Sequence, residues 1–492
     1  MRILLVKPKA QLPTVRGLER FQRLEPLEFG YLAAALPAGH EVRVLDLRLY
    51  RFADHVFQRE LARFRPDLVG FTAYTHESGI MKRLAGTARQ LLPQARVVVG
   101  GHHATVAPVD CNIPAIDYIV RGEGCAPFRA LVTALARGEE PENIANLLFA
   151  GERFDAEAAK TWPRYPDPAT IPIPRRDLWD PRRYYCIWVC ENPRDWQALL
   201  PPVAMARTSY GCKMVCSFCI VPLLCGGEHR PRPAEMVAED LARIEADHVY
   251  FSDDENFIDE AYGFELAEAL ARRGVKKRYF AWARATTVLH SPELLRRWRE
   301  IGLDGVFVGF EFATNQELKA ARKGGTVAHN ERAHDTLRRL GIACHAAFMV
   351  RSEYGHAEFQ RLRAYVGAMP PAQCSFTVCT PSPGTPDYEA ARPAFWCGDA
   401  YDLHDCMHPL TPTALPLREF SALLARQIGE AGRRNPLRVE RHLTRPWELA
   451  RIVHADWHYQ RAFRELYRDY PRELWEWPGD VGLPARGSLQ AD

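Results

Sequence analysis

Long apolar runs are absent from this chain. No stretch of about 18 residues is apolar enough to span a bilayer, and residues 2–6 are too short a run for a secretory signal and are typical of a first strand. A net charge of only +3 does not favour a nucleic-acid partner. The 13 cysteines are odd in number and unevenly spaced, so they do not indicate a disulfide framework and fit a reducing cytoplasm.

A dinucleotide fingerprint is also missing, because no G-x-G-x-x-G run follows the first strand. Residues 1–140 nevertheless alternate apolar, β-branched runs with helical stretches, which predicts a doubly wound (Rossmann-like) parallel sheet. The predicted strands are 2–6, 41–45, 68–72, 96–100 and 118–120. Such sheets bind ligands at the carboxyl ends of their strands. The residues there are small or polar: Thr72, Thr75, His76, Gly100, Gly101, His102, His103, Gly122, Glu123 and Gly124.

Three cysteines stand within eight residues further along the chain. Cys212, Cys216 and Cys219 have the spacing C-x3-C-x2-C. Soft thiolates suit iron–sulfur clusters, and three of them can hold three irons of a [4Fe–4S] cube while the fourth iron binds something else. A structural zinc site prefers four closed ligands, and Cys225 could supply the fourth. A non-catalytic zinc module is therefore an alternative.

Residues 205–385 alternate strands and helices at the spacing of a partial (β/α)6 barrel. The predicted strands are 203–208, 248–256, 279–285, 305–311, 343–350 and 375–379. Active groups of such barrels lie at the carboxyl ends of the strands. Polar residues there include Asp253, Asp254, Arg284 and Glu311.

The cysteine motif, the aromatic Phe218 before its last cysteine and the barrel pattern resemble the radical S-adenosylmethionine (SAM) family. The resemblance implies that the open iron binds SAM and that one electron cleaves its sulfonium to a 5′-deoxyadenosyl radical. It also implies that Asp253, Asp254 and Glu311 contact the SAM amine or ribose and that Arg284 neutralises the SAM carboxylate. For each of these four residues, the alternative is a structural role as a local helix cap or as one partner of an ion pair.

Joined to such a barrel, residues 1–140 resemble the cobalamin-binding domain of B12-dependent radical SAM enzymes, through the runs at 100–105 and 122–124. The ten strand-end residues given above are then implied cobalamin contacts. The D-x-H-x-x-G motif is absent, which implies base-off cobalamin without that histidine ligand. His76 could lie near the lower face of cobalt or be a solvated loop residue. For His102 and His103 we expect backbone or propionamide contacts.

The expected organisation is a cobalamin-binding domain (1–140), a proline-rich linker (141–204), the radical SAM barrel (205–385) and a helical C-terminal domain (386–492). Helices are predicted at 416–429 and 446–470. The second, which carries Trp447 and Trp457, is expected to cap the barrel mouth, with weak membrane-surface contact as the alternative. Residues 401–408 resemble the C-terminal part of hopanoid C-3 methylases and related B12-dependent methylases. Their His and Asp side chains could line a substrate pocket or be structural.

The resemblance implies a methyltransferase that uses methylcobalamin to methylate an unactivated carbon of an apolar small molecule, a hopanoid or another natural product. Cob(I)alamin would take a methyl group from one SAM, and a second SAM at the cluster would give the radical. An external donor such as flavodoxin or ferredoxin would supply the electron. A B12-dependent radical SAM enzyme without methyl transfer, such as a cyclase or a rearrangement enzyme, is the other hypothesis.

Overall fold

The computed structural model describes residues 1–188, 190, 199–370, 372–396, 398, 400–434 and 446–476. Within these residues the strands are β1 (Arg2–Lys7), β2 (Gln22–Arg23), β3 (Glu41–Asp46), β4 (Leu68–Thr72), β5 (Arg96–Gly100), β6 (Tyr118–Val120), β7 (Leu147–Phe149), β8 (Tyr185–Cys186), β9 (Val203–Ala206), β10 (Ser209–Tyr210), β11 (Arg230–Pro231), β12 (His248–Phe251), β13 (Arg278–Arg284), β14 (Leu303–Glu311), β15 (Ala343–Val350) and β16 (Gln373–Val378).

The helices of the same residues are α1 (Pro13–Leu18), α2 (Leu27–Ala35), α3 (Ala53–Phe64), α4 (Ser78–Leu91), α5 (Gly101–Val106), α6 (Cys125–Ala136), α7 (Ala156–Lys160), α8 (Val221–Cys225), α9 (Ala234–Arg243), α10 (Glu260–Arg272), α11 (Ala285–His290), α12 (Pro292–Glu300), α13 (Asn315–Ala320), α14 (Val327–Arg339), α15 (His356–Ala368), α16 (Pro386–Ala391), α17 (Leu417–Arg434) and α18 (Pro446–Arg464).

The N-terminal sheet has the strand order β3-β1-β4-β5-β6-β7. Its first five strands are parallel, and β7 joins β6 antiparallel. Every residue of β4 is buried, as expected for a parallel strand covered by helices on both faces. The predicted doubly wound sheet is confirmed, and β7, which lies in the expected linker, extends it by one strand.

The second sheet is the predicted partial barrel. Its strands lie in the order β9-β12-β13-β14-β15-β16, all parallel, so each strand pairs with the next one along the chain. Alternate residues of each strand point to opposite faces. On β14, Val306, Val308 and Phe310 pack in the core shared with the helices, whereas Phe307 packs on the inner face against Trp282 and His345.

The C-terminal helices pack beside the barrel. The principal contacts of α17 are with α15, α18 and β16, so α17 covers the last strand much as the other helices cover theirs. The principal contacts of α18 are with α17 and α1, which differs from the predicted position over the barrel mouth. Among the described helices, none combines the length and the apolar character that a membrane crossing requires.

Candidate active site

The cysteine loop runs from β10 to α8. Cys216 is buried and Cys212 and Cys219 are half-buried. The Cys219 N–H donates to the Cys216 carbonyl oxygen at 3.1 Å, so these two cysteines lie on one turn. Burial raises the pKa of the Cys219 thiol to about 12, and the Cys216 and Cys212 thiols add to the rise. The Ser217 N–H donates to the Ala321 carbonyl oxygen at 3.1 Å. The loop is thereby fixed on the end of α13, close to the end of β14.

These three thiols fit an iron–sulfur cube. In the described part of the chain, no three His, Cys, Asp or Glu side chains converge on a single ion. A cube does not need such convergence, since each thiolate binds a different iron. Cys225, the fourth ligand of the zinc alternative, lies in an apolar cluster with Leu27 and Tyr210. Phe218 packs against a separate cluster that contains Phe312 and Met349.

The start of the cysteine loop is held by Asp253. Its carboxylate accepts hydrogen bonds from the backbone N–H and hydroxyl of Thr208, at 3.0 and 2.6 Å, and from those of Ser209, at 2.5 and 2.7 Å. This buried carboxylate is fully engaged with the loop, which differs from the predicted contact with SAM. Asp254 is exposed and accepts from the Gly211 N–H at 2.9 Å.

Glu255, the third acid of this run, was not among the predicted site residues. It is buried, and its Oε2 accepts from the Arg284 backbone N–H at 2.8 Å. Its Oε1 has no partner among the described residues. Burial raises the pKa of Glu255 to about 7, against the opposing effect of Arg284. The only available signal was its place beside Asp253 and Asp254 at a strand end.

Arg284 and Glu311 end β13 and β14 at the same edge of the barrel. Nη1 of Arg284 lies 3.4 Å from Sγ of Cys216, so its positive charge would offset the negative charge of a cluster held by that thiolate. Glu311 has a left-handed backbone, with φ of 62°, and its Oε1 lies 2.5 Å from Nζ of Lys323. Lys323 was also missed, because only the fold brings it to this strand end.

A cavity of about 540 Å³ lies between the two sheets. One wall consists of the carboxyl ends of β1, β4, β5 and β6 with part of α2. The opposite wall comes from the barrel half and includes Arg207, Tyr210, Leu224, Cys225 and Asp254. The predicted residues that line it are Thr72, Gly100, Gly101, His102, Gly122, Glu123, Gly124 and Asp254.

The remaining predicted cobalamin contacts lie outside the cavity lining. The ring of His103 is fully buried, with Nε2 2.8 Å from Oδ2 of Asp110. His76 is half-buried and stacks on Tyr74, with ring centroids 6.1 Å apart. Thr75 is buried, and its hydroxyl has no partner among the described residues. His102 does line the cavity, and burial lowers its pKa to about 4, so it is a neutral imidazole.

The cavity suits a corrin. Four of its lining residues are glycines at strand ends, Gly100, Gly101, Gly122 and Gly124, which expose backbone amides to a close ligand. A Cβ on Gly101, whose φ is 87°, would lie only 2.4 Å from Oγ1 of Thr72. Amide groups and a neutral His102 match the amide side chains of cobalamin, which need hydrogen bonds and no countercharge.

The segment 401–408 covers the turn that follows β4. The ring of Tyr401 packs edge-on against His103 at 5.0 Å. Asp405 accepts from the Thr14 hydroxyl at 2.7 Å and pairs with Nδ1 of His408 at 2.9 Å. Nε2 of His408 lies 3.1 Å from Asp469. Of the two hypotheses for this segment, Asp405 and His408 therefore fit the structural one, because together they form a buried junction.

Sequence comparisons agree with this two-part site. Residues 13–132 match the B12 binding domain family, and residues 207–364 match the Radical SAM superfamily. The hopanoid C-3 methylase of Methylococcus capsulatus is 30% identical over 89% of this chain and 83% of its own length. The anaerobic magnesium-protoporphyrin IX monomethyl ester cyclase of Rubrivivax gelatinosus is 28% identical over 73% of this chain and 64% of its own length.

A solved structure shares the fold over nearly the whole chain. The radical S-adenosylmethionine methyltransferase TsrM of Kitasatospora setae, with a tryptophan substrate and a SAM analogue bound, has a TM-score of 0.66. The match covers 95% of this chain and 98% of that chain, at 20% identity.

Proposed function

Since this chain belongs to the cobalamin-dependent radical SAM methyltransferases, we propose that it methylates an unactivated carbon of an apolar small molecule, a hopanoid or a related natural product. The observation that carries the proposal is the cavity between the two sheets. It places the glycine-lined strand ends opposite Asp254 and Arg207, beside the cysteine loop. Similarity to a hopanoid C-3 methylase supports the substrate class.

Different residues of the chain would bind the cluster, cobalamin and SAM. Cobalamin, when bound, supplies a transferable methyl group, and the [4Fe–4S] cluster supplies the electron that cleaves SAM. Cys212, Cys216 and Cys219 would hold the cluster, and the strand ends around Gly101 and His102 would hold the corrin. We assign SAM binding to Asp254, Glu255, Arg284 and the Glu311–Lys323 pair. The unpaired Oε1 of Glu255 suits the amino group of SAM, and the guanidinium of Arg284 suits the carboxylate of SAM.

The test is anaerobic reconstitution with iron, sulfide and hydroxocobalamin, followed by SAM, a reductant and a hopanoid. Mass spectrometry should find 5′-deoxyadenosine and S-adenosylhomocysteine formed together with a methylated product. The Cys216→Ala variant, which removes one cluster ligand, should form no 5′-deoxyadenosine. Formation of 5′-deoxyadenosine without S-adenosylhomocysteine would contradict methyl transfer and would favour a cyclase-type reaction.

The proposal includes a cytoplasmic location and an external one-electron donor such as flavodoxin or ferredoxin, because SAM cleavage consumes one electron from the cluster.

It also includes weak contact with a lipid surface through α18. Trp447, Val453 and Trp457 are more than half exposed on this helix, and the guanidinium of Arg461 lies 5.6 Å from the ring centroid of Trp457. Exposed Trp and Arg side chains together are typical of helices that lie at a membrane interface.

Vesicle binding tests the lipid contact. Full-length protein should sediment with vesicles that contain anionic lipid, and the Trp447→Ser, Trp457→Ser double variant should bind several-fold more weakly, since it buries less apolar surface in the lipid. Trp162→Ser is a matched control, because Trp162 is a partly exposed tryptophan (37%) far along the chain from α18. Equal binding by all three proteins would remove the lipid contact from the proposal.

A further inference from the structure

The tip of the cysteine loop is exposed to solvent. Val215, in the middle of the loop, is 64% exposed, and Lys213 is exposed as well. The chain that follows the loop turns inward, since Ile220 lines the cavity between the two sheets. The tip is therefore the side of the cysteine loop that a second protein can reach.

The end of α13 lies against this tip. The Ser217 N–H donates to the Ala321 carbonyl oxygen at 3.1 Å. A Cβ on Gly324 would lie 3.2 Å from Cε of Met214, the residue before Val215. Two segments that are more than 100 residues apart in the sequence therefore form one continuous surface.

This surface carries unpaired positive charge. Lys213 in the loop and Lys319 and Arg322 at the end of α13 are exposed. None of these three cations forms an ion pair with a residue that the structure describes. The segments that carry them, 213–218 and 319–325, contain no acidic residue. An acidic protein would therefore meet a surface of opposite charge.

One carboxylate lies at the margin of this surface. Asp387 accepts a hydrogen bond from the Ser217 hydroxyl at 3.2 Å. Its single negative charge reduces the positive charge of the three exposed cations without cancelling it. Lys323 adds no free charge, because it is paired with Glu311.

We infer that the loop patch, defined as Lys213, Val215, Lys319 and Arg322, is the docking site for an acidic one-electron carrier protein. This inference rests on the proposed function and adds to it the place where the external donor binds. An anionic flavin hydroquinone gives up one electron and becomes the neutral semiquinone, and the oxidised cluster accepts that electron. Electrons cross short distances fastest, so docking on the loop that carries the cluster ligands favours the transfer. Electron-transfer partners form small, weak complexes, which suits a patch with one apolar residue among three cations.

The experiment measures the binding of oxidised flavodoxin, an acidic carrier, to the full-length protein at low and at high salt. The test variant is Lys319→Glu, Arg322→Glu, which reverses two charges of the patch and leaves the cysteine loop unchanged. Lys276→Glu is the matched control. Lys276 is also an exposed cation without a described ion pair, but it precedes β13 and so lies at the opposite end of the barrel. Val215→Ser tests the apolar part of the patch.

We expect the double variant to bind flavodoxin about tenfold more weakly than the wild type at low salt, and most of this difference to disappear at about 0.5 M salt, where charges are screened. Val215→Ser should bind several-fold more weakly at both salt concentrations, since less apolar surface is buried. Lys276→Glu should bind like the wild type. Equal binding by the wild type and the double variant, or an equal loss in Lys276→Glu, would overturn the inference.

A second measurement follows the reduction of the reconstituted cluster, by the bleaching of its visible absorbance after mixing with reduced flavodoxin or with dithionite. The double variant should slow reduction by flavodoxin about tenfold and leave reduction by dithionite, which needs no docking, unchanged. An equal loss of rate with both reductants would show that the substitutions act on the cluster, and would overturn the inference. A wild type that forms no cluster counts against the proposed function, and the binding comparison then still decides the docking site.

Discussion

At the scale of single residues, Gly101 shows what one missing methyl group does. Its φ of 87° is rare for residues with a side chain, and a Cβ there would lie 2.4 Å from Oγ1 of Thr72, inside the cavity wall. We expect Gly101→Ala to displace Thr72 and weaken hydroxocobalamin binding about tenfold, the equivalent of one lost hydrogen bond. Spectroscopic titration of the protein with hydroxocobalamin measures the effect.

Gly138→Ala is the control for that variant. Gly138 has a similar φ of 71°, but a Cβ there would meet no atom within 4 Å. Gly138→Ala should lose about 1–2 kcal/mol of stability from the left-handed backbone. Gly101→Ala should lose more, because its Cβ also meets Thr72, and only Gly101→Ala should lose cobalamin affinity. Equal affinities for the two variants would show that Thr72 is not a cobalamin contact.

The four cysteines of the loop and α8 differ in their expected roles. We expect Cys212→Ser, Cys216→Ser or Cys219→Ser to reduce the iron and sulfide bound after reconstitution several-fold, because each removes one of three ligands. Cys225→Ser should keep the full content, since Cys225 lies in the apolar cluster with Tyr210. Metal analysis that finds about one zinc per chain, lost in Cys225→Ser, would support the zinc alternative.

The cysteine spacing could be read from the sequence because it is local, whereas two neighbours of the site could not. Glu255 looks like another surface acid, and its burial depends on how β12 and β13 pair above it. Lys323 lies twelve residues from Glu311 along the chain, and the two meet only because α13 turns back towards the end of β14. Asp253 was predicted as a site residue, but its hydrogen-bond donors, Thr208 and Ser209, could not be predicted, because they lie more than 40 residues earlier in the sequence.

At the scale of elements, the loop that carries the cysteines depends on Asp253. An Asn amide group at this position would replace an acceptor oxygen with a donor, opposite the N–H groups of Thr208 and Ser209. We expect Asp253→Asn to lower the free energy of unfolding by about 2–3 kcal/mol and to reduce cluster content. Urea unfolding and iron analysis measure the two effects.

Asp259→Asn is the comparison for Asp253→Asn. Asp259 caps α10 by accepting from the Tyr262 N–H at 3.1 Å, and Asn is an equally good N-cap. The stability and iron content of the Asp259→Asn variant should therefore stay close to those of the wild type. If Asp253→Asn matched Asp259→Asn in both measurements, the role given to Asp253 in holding the loop would be wrong.

Most elements of both sheets could be predicted, since alternating apolar runs specify buried parallel strands. The predicted bounds of β4, β5, β6 and β15 agree with the structure, and most others differ by one or two residues. Helix α15 was missed, although Phe359, Leu362 and Val366 share one buried face. The position of α18 could not be predicted, because its partner α1 lies more than 400 residues earlier in the sequence.

At the scale of the whole molecule, the junction of Thr14, Asp405, His408 and Asp469 ties the two ends of the described chain together. Burial alone would lower the pKa of His408, but the Asp405 and Asp469 carboxylates raise it to about 9. A raised pKa means that the folded state binds the proton more tightly than the unfolded state does. The stability from this pair is therefore fully present below about pH 6.5 and is lost as the pH rises through about 9.

We expect the unfolding temperature of the wild type to fall between about pH 7 and pH 9.5 more steeply than that of His408→Gln, which cannot carry the charge. The difference between the two slopes, measured by thermal unfolding across this range, isolates the contribution of His408 from that of other titrating groups. Parallel slopes would show that the buried pair does not stabilise the protein through its charge.

Thr14 and Asp405 meet across 391 positions of sequence. During synthesis, the first sheet therefore leaves the ribosome long before residues 401–408 are made. These are the residues that cover the turn at 75–77. Contacts of such long range close late in folding. We expect a nascent or partly folded chain to accept the corrin readily, and the completed protein to exchange it slowly.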